Sequence, residues 1–235
     1  MADWLALPGQ AALEVTAGPV WRDDTGEPTG VRARLASYPR DLAAVLVAVD
    51  WQRLAQELPL VGRTGEQGDE LGSRVVTARL VDAALHLGFL LEGRWAPYPT
   101  WRGTVFAGLP RCGALVPALT AALAAPTWRE RQEHLARALR GLYDVQRAAG
   151  LVVVGPDPLE PFFDRRFLGV RTGVTQVLLD GVDDVDARAA FPLGAVEQWC
   201  GSVDLLTAPD RRAAVVRPAG PAPPAAGARS ARRPR

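Results

Sequence analysis

The sequence predicts a mainly all-α protein, a multi-helix bundle with short irregular or extended segments near residues 152–170. Three observations lead there. Arg40–Leu58 carries two apolar stripes, Leu42, Val45, Leu46, Val49 and Val47, Trp51, Leu54, Leu58, the pattern of a helix buried on two sides. From Asp69 to about Glu92, Val76, Leu80, Ala83, Leu87 and Leu90 recur at helical spacing. Thr127 and Glu130 form a capping box after Pro126 and open a third long helix, which runs through Leu135, Leu139, Leu142 and Val145 and stops at Gly150. No alternation of strands and helices suggests a parallel sheet.

The remaining elements follow in order. Trp4–Ala17 reads as one short amphipathic helix and Gly18–Gly30 as a loop, with a helical turn at Val31–Ser37. Gly62–Gly68 reads as a Gly-rich turn, and Glu70 and Arg74, four apart, are spaced to pair on the helix that follows it. Gly93–Trp101 is a turn, followed by short helices to Gly108 and over Cys112–Ala125. Val152–Pro161 and Phe162–Val170 are extended or Pro-rich, and weaker helices are expected at Thr175–Leu179, Val185–Ala190 and Ala195–Leu206. The expected domain is 1–210, with an Arg/Pro/Ala-rich disordered tail over 211–235.

Composition narrows the chemistry. Of 235 residues, 48% are hydrophobic and 23% charged, an ordinary globular balance. No apolar run is long enough to span a membrane and the N-terminus lacks a signal-peptide pattern, so the expectation is a cytoplasmic protein with no membrane contact. Lys, Asn and Ile are absent and all 27 basic residues are Arg, which points to a GC-rich genome such as an actinobacterium's. A Schiff-base or P-loop lysine is therefore excluded. Cys112 and Cys200 are too few and too far apart to suggest a disulfide framework or a zinc site. Segment 217–235 carries five Arg and no acid, so the rest of the chain is net −4. Nucleic-acid contact is expected only through that tail.

Motifs for nucleotide binding and for serine hydrolysis are missing. Asp183-Asp184-Val185-Asp186 reads as a helix N-terminus rather than a metal site. Arg79 and His86, seven apart on one helix with Asp82 between them, resemble the ribonuclease motif of the HEPN family of helical domains, in which His moves a proton. The other reading of the same residues is a helix-surface Arg–Asp–His group. Arg129 and His134 are similarly close. The richest polar constellation is Arg53 with Glu66, Asp69, Glu70 and Arg74, expected at one end of two antiparallel helices, with Arg94, Tyr98 and Trp101 as a second group. Such residues could bind a polar ligand or form a salt-bridge network between helices.

These segments resemble a known family, the proteins carrying domain of unknown function 4037. The resemblance lies in Asp3–Pro8, Leu13–Gly18, Arg32–Pro39, Trp51-Gln52-Arg53, Val61–Arg74, Arg94–Tyr98 and Gly194–Gln198. It implies a two-part protein, a nucleotidyltransferase-type domain followed by a helical half that helps to hold the acceptor substrate and to make subunit contacts. A Gly-Ser turn followed by an Asp-x-Asp pair, which the resemblance assigns to the catalytic half, is not found in context here; after Gly72-Ser73, Asp82 is followed two residues on by Ala84. The sequence opens at Met1-Ala2 where the helical half begins. The expectation is therefore an accessory or substrate-binding domain, not catalytic alone, with magnesium and a nucleoside triphosphate held by a partner domain in trans; a homodimer is a second partner that the resemblance allows. A HEPN-like ribonuclease and an inactive gene remnant are the alternatives. The family's usual His and Lys are replaced around Val145-Gln146 and at Thr100, which puts any role of those positions in doubt.

Overall fold

A computed structural model describes residues 1–216. The architecture is mainly helical, built around α4 (Arg40–Glu66) and α5 (Glu70–Leu91), joined by three residues and packed antiparallel along their length. Both apolar stripes of α4 are buried, because α5 covers one side while α8 (Trp128–Ala148) and α9 (Val174–Asp180) cover the others. α7 (Val116–Ala124) lies against α8 and α5, preceded by α6 (Pro99–Ala107) and a 3-10 turn at Cys112–Leu115. Between α8 and α9 a small antiparallel hairpin pairs β1 (Leu159–Pro161) with β2 (Leu168–Val170), Glu160 opposite Gly169. The expected extended region is thus two short strands.

The Gly-rich segment 62–68 is not a turn. α4 continues through it to Glu66, and only Gln67 and Gly68, the latter with φ +80°, leave the helix. The glycines serve packing instead. A Cβ on Gly62 would overlap the Phe167 ring, and one on Gly65 would overlap Trp128. The flat helix surface lets two aromatic side chains, themselves in edge-to-face contact at 5.9 Å, seat on α4. At the start of α5 the Asp69 carboxylate accepts from the Gly72 amide at 2.7 Å, and Thr127 caps α8 by accepting from Glu130 N–H at 3.3 Å.

Pro8 splits the first expected helix into α1 (Ala2–Leu5) and α2 (Gly9–Thr16), since its missing N–H and fixed φ suit a helix start. The loop before residue 30 already contains the start of α3 (Glu27–Arg34), with Pro28 in its first turn. Ala195–Leu206 is two turns, α11 (Val196–Trp199) and α12 (Val203–Leu206), following α10 (Val185–Arg188). α10 is capped by Asp184, which accepts from the Asp186 and Ala187 amides, so that acid serves as a helix cap.

The boundary at residue 210 also moves. α13 (Pro209–Val216) packs against α1, and the Arg212 side chain, buried, donates from Nε to Ala6 O at 2.7 Å. Residues 211–216 therefore belong to the fold, because a guanidinium ties them to the N-terminal helix. The expected tail from 217 lies outside the described residues.

The packing role of the glycines predicts opposite signs for one substitution. Gly62→Ala should destabilise by about 1–3 kcal/mol through overpacking against Phe167, although Ala is the better helix former. Gly103→Ala, in α6 with open space around its Cα, should instead stabilise by up to about 1 kcal/mol. Urea melts of the two variants check both signs.

Candidate functional site

Three titratable side chains meet where the two ends of the chain converge on the central pair. Asp50 sits in the apolar middle of α4, 1% exposed, and His86 faces it from α5, 5% exposed. The His86 Nδ1 to Asp50 Oδ2 distance is 2.6 Å, and His86 Nε2 lies 3.6 Å from Glu197 Oε1 on α11. Glu197 Oε2 accepts the Gly9 N–H at 2.9 Å, at the first turn of α2. Next to it, buried Gln198 donates to Leu46 O at 2.9 Å and to Asp50 Oδ1 at 2.8 Å, and accepts the Ala195 N–H at 3.0 Å. Arg53, one turn along α4 from Asp50, donates to Gln198 O at 2.8 Å.

Electrostatics follow from this geometry. Burial alone would lower the His86 pKa. The Asp50 charge and hydrogen bond, then those of Glu197, outweigh burial and raise it from 6.5 to about 10. His86 is an imidazolium at neutral pH, held between two carboxylates. The Tyr38 phenol lies beside them; burial first, then Glu197 and Asp50, push its pKa well above the ordinary value. Its hydroxyl is buried and has no hydrogen-bond partner among the described residues. Tyr38 is held by Trp95, 4.3 Å away between ring centroids, whose indole N–H donates to Leu35 O at 2.7 Å.

Three members of this network, Arg53, Glu197 and Gln198, line a cleft of about 630 Å³, while Asp50, His86 and Tyr38 do not. Pro8, Gln10, Ala11 and Glu14 form one wall, and Ala96–Pro99 with Asp82 and Arg102 form a second. Glu197–Gly201, Leu206 and Arg212 form a third, with Arg53 at the back. The Tyr98 N–H donates to Gln10 Oε1 at 3.0 Å, and Arg102 pairs with Asp82 at 2.6 Å. Residues from both ends of the chain are needed to close it.

The structure divides the sequence-predicted residues. Arg53 and Tyr98 come together in the cleft. Glu66, Asp69, Glu70 and Arg74 do not join Arg53, because α4 continues for 13 residues beyond it, about 20 Å at 1.5 Å per residue. Glu66 lines a separate hollow with Arg63 and the hairpin residues Phe162–Arg165. Asp69 is the helix cap already described. Glu70 pairs with Arg131 rather than Arg74; Arg131 is wholly buried and also donates to Ser73 Oγ and Ala125 O. That arrangement is the salt-bridge alternative, locking α5 to α8. Arg74 is exposed. Arg94 lies outside the cleft, near Trp95 and Leu109, and Trp101 is exposed on α6.

Arg79 and His86 are also apart in role. Arg79 pairs with Glu57 at 2.8 Å on the surface of α4–α5, whereas both ring nitrogens of His86 face carboxylates. Gln146, where the family's usual His is replaced, is buried and accepts the Trp51 indole N–H at 2.7 Å. Thr100 is exposed at the start of α6. Cys112 and Cys200 are both free thiols.

Asp50, Glu197 and Gln198 were not singled out by sequence reasoning. A signal existed: Asp50 is the one charge in Leu42–Leu54 before Arg53 and lies between two apolar stripes. Glu197 carries no such mark. Among the described residues no group of three His, Cys, Asp or Glu side chains could hold a metal ion, and Asp50 and Glu197 are both turned to the His86 cation. Among the described residues no single helix is long and apolar enough to cross a membrane.

The family model of a domain of unknown function (DUF4037) matches residues 4–102, the stretch that carries most of the resemblance read from the sequence. It contains Asp50, Arg53, His86 and Tyr98 but not Glu197. No curated protein and no solved structure matches the chain.

The raised pKa sets the pH window. A histidine whose folded pKa exceeds its unfolded one stabilises fully below the unfolded value and loses that contribution as pH rises through the folded value. The melting temperature should therefore fall between about pH 6.5 and about pH 10. The Cys112 thiol, pushed up to about 12 by burial and Glu92, stays outside that window. A His86→Gln variant should be less stable at pH 7 and should lose most of this slope in thermal melts.

Proposed function

We propose that this domain binds a small polar substrate in the cleft and presents it to a nucleotidyltransferase-like domain supplied in trans. The observation that carries the binding half of this reading is the cleft itself. It is concave, walled by Tyr98, Trp199 and four prolines, and backed by a preorganised charged network. Concave sites of this composition, with a few convergent polar groups, are where ligands most often bind.

The link to nucleotidyl transfer rests on the family resemblance. In-line nucleotidyl transfer needs paired carboxylates holding metal on the attacking and leaving oxygens, and the two buried carboxylates here are engaged by His86. In this reading Arg53 is a positioning residue: its guanidinium holds the Gln198 carbonyl and so sets the α11 wall. Homodimerisation and a cytoplasmic location are compatible parts of the same proposal.

The purified chain with labelled ATP, magnesium and a mixed pool of hydroxyl- and amine-bearing metabolites should transfer no label. Label transferred by the chain alone would overturn the accessory reading. The same pool, separated by equilibrium dialysis, should leave at least one metabolite enriched with the protein, and Tyr98→Ala should reduce that enrichment several-fold.

A further inference from the structure

The charge layout of the cleft defines the class of ligand it takes, given that it is a binding site. Each of its three arginines donates to a protein acceptor, with the Arg53 side chain 30% exposed and Arg102 Nε without a partner among the described residues. Arg212 is buried and donates to the Ala6 and Leu206 carbonyls. The Arg102 side chain is 15% exposed and donates to Asp82 Oδ1. Arg53 holds the Gln198 carbonyl and lies 3.8 Å from Glu57. The chain contains no lysine that could add a mobile positive charge.

Of its three acids, Glu197 is engaged by His86 and the Gly9 amide, and the other two are turned out. The Asp82 side chain is 53% exposed and gives only Oδ1 to Arg102. Glu14 is exposed and gives only Oε1 to Gln10, while Gln10 Oε1 is taken by the Tyr98 N–H. A ligand in the cleft therefore faces free carboxylate oxygens on the two most exposed charged side chains that line it, Asp82 and Glu14. An anionic ligand would have to approach these two acids, which costs binding energy. A ligand rich in hydroxyl and ammonium donors would fill vacant acceptors, and its C–H faces would lie against Tyr98, Trp199, Pro97 and Pro99.

We infer that the cleft takes an amino-polyol, a hydroxylated small molecule carrying an amine, and discriminates against phosphorylated or carboxylated ones. The amine is selected by Asp82 and Glu14 at the rim and the hydroxyls by the remaining free acceptors. This inference rests on the cleft being the binding site, and the test separates the two ideas.

Three probes on one skeleton differ only in charge: glucosamine, glucose and glucose 6-phosphate. Each would be titrated into the full chain at pH 7 and followed by amide chemical shifts of Gln10, Tyr98 and Trp199. Glucosamine should bind most tightly, with millimolar affinity, and glucose 6-phosphate most weakly, the two differing by about tenfold or more. The Glu14→Gln, Asp82→Asn double variant, altered only at exposed side chains, should keep its circular dichroism and lose the preference for glucosamine over glucose. Glucose 6-phosphate binding as well as or better than glucosamine would overturn the ligand class while leaving the cleft as a site. Equal binding of glucose and glucosamine would remove the role of the rim acids. No shifts at the cleft with any of the three would overturn the inference together with the binding reading.

Discussion

One buried cation between two buried carboxylates ties this fold together. His86 is contributed by α5, Asp50 by α4 and Glu197 by α11, and the last of these also holds the start of α2 through the Gly9 amide. Residues at both ends of the described chain thus converge on one imidazolium. Removing the cation would leave two carboxylates facing each other in a low-dielectric interior, a loss on the order of 3–5 kcal/mol. Such a network adds less to stability than an apolar core of the same volume would, so its more specific effect is to define where α11 and α2 sit. The cleft exists because they sit there.

Function is read from the same arrangement. The family-matched stretch 4–102 supplies one side of the cleft, and residues 197–212 supply the other. Arg53 lies at the junction, with its guanidinium on the Gln198 carbonyl. The proposed binding surface is thus carried on the central helices and closed by short turns held by buried polar contacts. That combination suits a domain that positions a substrate for chemistry done by another group. The same burial separates His86 from solvent and from Arg79, so the residues that resemble a ribonuclease motif here serve packing and pairing.

The helical class and the three long helices were legible in the sequence because periodicity and capping act locally: Leu42–Leu58, Val76–Leu90 and the Thr127–Glu130 box each declare themselves within a few turns. The end of α4 was not legible. Gly62 and Gly65 look like turn residues until Phe167 and Trp128, 105 and 63 residues further along the chain, are seen to need a flat surface. The site was half legible. Arg53, Tyr98 and His86 were singled out, but for contacts they do not make, because grouping them required the true length of α4 and the return of residues 195–199 from the far end of the chain. Glu70 was expected beside Arg74 on its own helix, whereas a buried arginine from α8 outcompetes that exposed neighbour.

Amide hydrogen exchange, compared between the wild-type chain and His86→Gln at pH 7, tests the central claim most directly. If the imidazolium holds the two chain ends on the central pair, exchange should quicken at Ala195–Trp199 and in the first turn of α2. Protection in α7 and α8, which pack away from the network, should be unchanged. Uniform loss of protection over the whole chain, or none at Ala195–Trp199, would contradict the account.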